Sequence, residues 1–232
     1  MKKEQTENDN SKNLNLIVEA IITAGDYCCN RLKTIERIST GSKSLDNLLC
    51  GGIERKAVTE FYGAYATGKT QLCHSLCTIV PQDRSQGGLC GKSIYIDTEC
   101  KFRPERIVSI AQSRGFNTSY TLSGILGVRV MASHHQELIL EKIVPLLEKD
   151  KKIKLLVVDS IINNYRAEFS DVRTLSERQQ RLYQFMCRLS NVAQTYGIAV
   201  VVTNQVNYSS YPDTANPTGG NIIAHSLSLI HI

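Results

Sequence analysis

Two hydrophobic patterns alternate along this chain. Short, nearly unbroken apolar runs occur at residues 57–62, 93–97, 128–132, 155–159 and 198–203, and longer stretches with one apolar stripe occupy 70–80, 104–114, 135–149 and 175–196. A strand buried on both faces needs apolar side chains at successive positions, whereas a helix lying on such a sheet needs them on one side only. The pattern predicts an α/β fold with a mostly parallel central sheet and helices on both faces. Pro104 falls in the first turn of its helix, where a missing N–H costs nothing. Pro145 falls inside the third helix and predicts a kink. No internal repeat is present.

The flanks differ from this core. Residues 1–13 are polar and predict disorder, 14–24 form an apolar patch, and 26–36 read as a helix or linker. Residues 1–36 are therefore expected to be an N-terminal tail and linker. Two connections, 160–174 and 206–218, exceed the usual length of about 2–6 residues, which marks them as functional or disordered.

Composition narrows the classes. Of 232 residues, 42% are apolar, and no apolar run approaches the roughly 18–20 residues that cross a bilayer. The polar start lacks the apolar segment of a signal peptide, so a cytoplasmic protein with no membrane partner is expected. A net charge of +5 permits nucleic-acid binding without requiring it. The eight cysteines form no C-x-x-C pair and no zinc spacing. Cys73 and Cys77, four apart on one helix face, read as small buried apolar residues in a reducing compartment.

The chemistry begins at Gly63-Ala64-Tyr65-Ala66-Thr67-Gly68-Lys69-Thr70, a match to G-x-x-x-x-G-K-[ST] between a predicted strand and a predicted helix. Glycines let backbone N–H groups curl around phosphate oxygens, and the helix N-terminus adds partial positive charge. Lys69 is expected to reach the β- and γ-phosphates of ATP and Thr70 to ligate Mg²⁺. The other strands end in polar groups. Lys154-Leu-Leu-Val-Val-Asp159 places an acid where a second metal contact is needed, through water. Residue 97 is followed by Thr98 and Glu99, the candidate general base, and residue 203 by Asn204 and Gln205, the candidate γ-phosphate sensor. In open parallel sheets ligands bind beyond these carboxyl ends.

Several motifs then resemble the RecA/RadA recombinase family, its archaeal RadA branch in particular. They are Ile38-Ser-Thr-Gly-Ser-Lys-Ser-Leu-Asp, Gly68-Lys-Thr-Gln71, Tyr95-Ile-Asp-Thr-Glu99, Phe102-Arg-Pro-Glu-Arg106, Leu175-Ser-Glu-Arg-Gln179, Thr203-Asn-Gln-Val206 and Gly219-Gly-Asn-Ile-Ile-Ala-His225. The resemblance implies a RecA-like P-loop NTPase core over 37–225. It implies a DNA-dependent ATPase that forms filaments or rings of its own copies on single-stranded DNA, pairs them with duplex and exchanges strands in recombination and repair. Under it Gln71 and Arg106 hold the nucleotide, Arg106 against adenine. The two long loops become DNA loops, with Arg166, Arg173, Arg178 and Asn207 as contacts, and Gln205 and His225 couple nucleotide state to DNA.

Departures from the family pattern are specific. Ile21 stands where the polymerisation segment 21–24 usually has Phe, and Asp171-Val172-Arg173 replaces Gly-Arg-Gly in the first loop. Ala64 replaces Glu, and Cys100-Lys101 replaces Gly or Asn followed by Thr. Residues 226–232 do not match, so the chain reads as truncated at both ends, with the core's last strands missing. A regulatory paralogue of the RadB type, binding ATP and DNA without strand exchange, is one alternative. A signalling ATPase of the KaiC type with protein targets is another, against which the motifs at Glu99 and Gly219 argue.

Overall fold

The computed structural model of the chain describes residues 23–208 and 215–218. Two compact units divide between Glu36 and Arg37. In the first, the segment read as helix or linker is a helix, α1 (Ala24–Thr34). The Thr23 hydroxyl accepts the Asp26 N–H at 3.0 Å. Asp26 in the first turn and Arg31 and Lys33 in the last suit the helix dipole. Ile21 and Ile22 of the polymerisation-like segment lie outside the described residues.

The second unit opens with a small antiparallel pair, β1 (Arg37–Ile38) and β2 (Ile53–Glu54), enclosing α2 (Lys43–Leu48). Gly52 makes this pairing possible. Its φ is +114°, and a Cβ there would lie 2.3 Å from the Ile38 carbonyl oxygen.

The elements that follow are β3 (Val58–Gly63), α3 (Lys69–Ile79), β4 (Lys92–Asp97), α4 (Pro104–Ser113), α5 (Thr118–Ser123), β5 (Ile125–Arg129) and α6 (Ser133–Lys149). After them come β6 (Ile153–Asp159), α7 (Asn163–Glu168), α8 (Leu175–Tyr196), β7 (Ala199–Tyr208) and β8 (Ala215–Pro217). Strands β3, β7, β6, β4 and β5 lie side by side in that order, all parallel, and β8 adds antiparallel to the end of β7.

The period-two geometry of a strand splits the core in two. Ile94, Ile96, Leu156, Val158, Val200 and Val202 pack on one face with Leu140 and Ile143 of α6 and Phe185, Met186 and Leu189 of α8. Tyr95, Leu155, Val157, Ala199 and Val201 pack on the other with Cys73, Leu76 and Cys77 of α3 and Ile107 of α4. The chain belongs to the α/β class anticipated, a parallel sheet flanked by helices.

Several local expectations change. The strand expected at 128–132 is β5, three residues earlier, because Ile125–Arg129 pairs in register with Ser93–Asp97. Gly127 within it interrupts the apolar run and sits beneath the Phe102 ring, where a Cβ would be 3.4 Å away. Helix α5 is not evident in the hydrophobic pattern; the Asn117 side chain caps it by accepting the Tyr120 N–H at 2.9 Å. The loop expected at 160–174 contains α7 and a short 3₁₀ turn, Val172–Thr174. Strand β7 runs on to Tyr208 and pairs with β8, so part of the second long loop is a hairpin. Helix α6 continues through Pro145.

Leu156 is fully buried in a central strand, whereas Leu126 is exposed on the edge strand β5. Leu156→Ala should lower unfolding free energy by about 2–5 kcal/mol, and Leu126→Ala by under about 1 kcal/mol, both read by urea denaturation. Equal losses would contradict this core. The buried thiols give a second check. Burial pushes Cys77 up to about 12 and Cys73 well above the usual thiol range. Brief alkylation of the native protein at ~pH 8 should label exposed Cys50 and Cys90 and spare Cys73 and Cys77 until denaturant is added.

Candidate nucleotide site

The strand register builds the site. Gly63 at the end of β3 pairs with Gln205 of β7, Val158 of β6 pairs with Val202 of β7, and Asp97 of β4 pairs with Asp159 of β6. These ends are level at the carboxyl edge of the sheet. Asp97, Asp159, Thr203 and Gln205 are all odd-numbered, as are Tyr95, Val157 and Val201, so they share the face that carries α3.

The phosphate loop leaves β3 at Gly63 and enters α3 at Lys69. Gly68 has φ +97°, and a Cβ added there would meet nothing within 4 Å, so conformation alone demands glycine at this position. Ala66 is also left-handed, at φ +64°. Positive-φ residues in such a loop turn successive N–H groups toward one concavity, which suits an anion. The Lys69 ammonium arches back over the loop, donating to the Gly63 and Ala64 carbonyl oxygens at 2.8 and 2.7 Å. Burial pulls Lys69 below the usual lysine range, and the Glu99 and Asp159 carboxylates act against that shift.

Asp159 is 2% exposed and accepts two hydroxyl hydrogen bonds, from Tyr95 at 2.6 Å and from Thr203. Burial, reinforced by Cys73 and Asp159, pushes the Tyr95 phenol far up, so it stays a donor. The Asp159–Ser160 peptide is cis. Beside it Thr98 and Ser160 exchange two hydrogen bonds of 2.8 Å, which tie the ends of β4 and β6 together.

Asp97 shapes the turn that presents Glu99. One of its oxygens accepts the N–H groups of Glu99 and Lys101 at 3.1 Å each, and the other accepts that of Phe102 at 3.0 Å. The Glu99 carboxylate is ion-paired with the Lys101 ammonium and accepts from the Gln205 amide at 3.2 Å. The Gln205 carbonyl oxygen accepts from the Arg166 guanidinium at 3.3 Å. Behind Gln205, the Asn204 amide donates to Glu60 at 2.8 Å and to the Thr218 carbonyl at 2.7 Å, which fixes the strand end. Burial raises the Glu60 carboxyl's pKa, with the Asn204 bond opposing.

A cavity of about 420 Å³ lies over this edge. Tyr65, Ala66, Thr67, Gly68, Lys69, Thr70, Gln71, Glu99, Asp159 and Gln205, all singled out from the sequence, lie on its walls. Gly63 and Ala64 contribute their carbonyls to Lys69 instead. Arg106 is exposed and does not line the cavity; it donates to Gln71 at 2.6 Å. Arg166 reaches the cavity only through Gln205. Arg173 is held by Asp171, two residues before it, at 3.0 Å, and Arg178 donates to the Phe169 carbonyl at 3.2 Å. The Asn207 side chain and His225 lie outside the described residues. Lys101 and Thr203 also line the cavity, and no motif in the sequence gives either of them, or the Asp97 turn, a role. The strand-end position of Asp97 and the two-residue spacing from Glu99 to Lys101 were the available signals.

The donor set fits a magnesium nucleotide. Hydroxyl and carboxylate oxygens of Thr70 and Asp159 are the hard ligands Mg²⁺ takes, and that ion keeps several waters instead of demanding a full protein cage. No cluster of three or more His, Cys, Asp or Glu suited to a metal occurs among the described residues.

A parallel sheet that feeds a glycine-lysine phosphate loop into a helix, beside a strand-end aspartate, defines the core of a P-loop NTPase. The Rad51 family model matches residues 30–231, and the chain belongs to that family. It is 40% identical over 206 residues to "DNA repair and recombination protein RadA" of Cenarchaeum symbiosum (strain A). The match covers 88% of this chain and 52% of that protein, so the chain spans about half the length of this curated relative. No helix among the described residues is long and apolar enough to cross a membrane.

Removing the Asp97 carboxylate leaves three turn amides without their acceptor. Asp97→Ala should cost on the order of 1–3 kcal/mol and speed amide hydrogen exchange at residues 99–102 while leaving 63–70 unchanged. Uniform acceleration across both segments would contradict the role given to Asp97.

Proposed function

We propose that this chain carries the ATPase core of a DNA recombinase, spanning 37–225, which assembles copies of itself on single-stranded DNA and exchanges strands with a homologous duplex. Membership in the Rad51 family and the likeness to RadA support this reading. The observation that carries it is the convergence of Lys69, Thr70, Glu99, Asp159 and Gln205 on one cavity that also connects, through Gln205, to Arg166 of the first long loop. The setting is the cytoplasm.

When bound, Mg·ATP supplies the phosphoryl bond that is cleaved. Lys69 and the loop amides bind the phosphate oxygens and offset the charge that develops there. Thr70 and Asp159 would supply oxygen ligands to the metal, while Tyr95 and Thr203 hold the Asp159 carboxylate in place. Glu99 accepts a proton from the attacking water, and Gln205 orients beside it. Arg106, hydrogen-bonded to Gln71, would lie against the adenine. Arg166, Arg173, Arg178 and Asn207 bind DNA phosphates without reading sequence. His225 and Gln205 relay nucleotide state to those loops.

One observation favours a second reading, a regulatory paralogue that binds ATP and DNA but exchanges no strands. Arg173 is paired with Asp171 within its own loop, so its charge is partly committed.

ATP turnover measured with and without single-stranded DNA tests the first reading. DNA should raise turnover, and Lys69→Ala should lower it by roughly 100-fold or more. Turnover unaffected by either change would overturn it. Strand exchange followed between about 50 and 200 mM salt separates the two readings, since the paralogue gives binding that weakens with salt and no exchange at any salt.

A further inference from the structure

Lys101 has no part in the reading above, yet its side chain lines the same cavity as Lys69, Thr70, Glu99 and Asp159. Its root is fixed, because its backbone N–H is held by Asp97 at 3.1 Å. Its tip is not confined. The Lys101 side chain is 42% exposed, against 11% for Glu99, so the ammonium meets the open cavity and can exchange partners at small desolvation cost. Two partners hold it: the Glu99 carboxylate, and the face of the Tyr65 ring, 5.2 Å from the nitrogen. Tyr65 belongs to the phosphate loop and is 84% exposed.

This arrangement has a consequence for Glu99. While the Lys101 ammonium is paired with Glu99, that carboxylate oxygen is not open to receive a proton from water. Glu99 does not depend on Lys101 for its place, since Gln205 donates to its other oxygen at 3.2 Å. Lys69 and Lys101 also lie close enough to repel each other, a repulsion that a polyanion between them relieves. A terminal phosphate carries more charge than a carboxylate and offers three oxygens, so it competes well for the ammonium.

Resting on the nucleotide reading of this cavity, we propose that Lys101 is a contact for the third phosphate of a nucleoside triphosphate, and that it leaves Glu99 when that phosphate enters. With a diphosphate bound, Lys101 stays on Glu99 and keeps the base occupied. With a triphosphate bound, the ammonium moves to a terminal phosphate oxygen, and Glu99 remains positioned by Gln205 with its outer oxygen free. Lys101 thereby distinguishes triphosphate from diphosphate and holds the base until the third phosphate is present.

Calorimetric titration of the full chain with Mg·ADP, and with the magnesium complex of the β,γ-imido analogue of ATP, tests this without relying on turnover. Lys101→Met should weaken the triphosphate analogue about 10-fold and ADP by less than about two-fold. Lys101→Arg should retain most of the preference. Equal weakening of both nucleotides, or no weakening of either, overturns the proposal. Far-ultraviolet circular dichroism and the urea midpoint check that the variant is folded; if Lys101→Met is not, Lys101→Gln is read by the same criteria. An unaltered chain that binds neither nucleotide sinks the nucleotide reading, and this proposal with it. An unaltered chain that binds both, alongside an indifferent Lys101→Met, sinks this proposal alone.

Discussion

The level ends of four parallel strands are the constraint on which this molecule depends. Backbone hydrogen bonds set Gly63 beside Gln205 and Asp97 beside Asp159, and that register brings side chains from distant parts of the chain to one edge. A slip of one residue would invert every side chain of the slipped strand. In β6 it would turn Val158 toward α3 and carry Asp159 to the face of α6 and α8, away from Tyr95 and Thr203. The apolar core forbids this, because Leu155 and Val157 on one face and Leu156 and Val158 on the other are all fully buried. Packing energy thus fixes the position of the charged groups.

Polar groups brought into such an edge need partners, and the molecule supplies them from neighbouring strands. Asp159 is satisfied by Tyr95 from β4 and Thr203 from β7, and Asn204 by Glu60 from β3 and the Thr218 carbonyl. Tyr95 serves both layers: its ring packs against Phe102, with centroids 4.8 Å apart, and stacks on His74 of α3 at 5.5 Å. Burial holds the His74 imidazole toward its neutral form, and its ring contacts both Tyr95 and Phe102. The aromatic cluster is therefore the floor under both Asp159 and the Glu99 turn.

The exposed side of the edge is organised differently. Lys101, Glu99, Gln205 and Arg166 form a chain of direct contacts that starts in the turn after β4 and ends on α7. Each link is a partly exposed polar contact, easily exchanged, in contrast to the buried bonds beneath. A rigid buried layer under an exchangeable outer layer is what a site needs if it is to keep its geometry and still respond to what it binds.

The sequence by itself determined the α/β class, the phosphate loop from Gly63 to Thr70, and the acids and amide at strand ends, Glu99, Asp159 and Gln205. Those features are local: a two-residue period, a glycine-lysine spacing and a polar residue after an apolar run can be read without knowing what lies opposite. Tertiary structure decided what depends on partners far away in the chain. It set β5 three residues earlier through pairing with β4, made α7 and β8 out of segments that read as loops, and hydrogen-bonded Arg106 to Gln71. It also brought Lys101 onto Glu99. Two residues apart, they could have pointed anywhere; the Asp97 carboxylate gathers three amides of the turn and aims both side chains into one cavity. Hydrogen bonds of that kind join one side chain to a backbone path, and no periodicity in the sequence records the path.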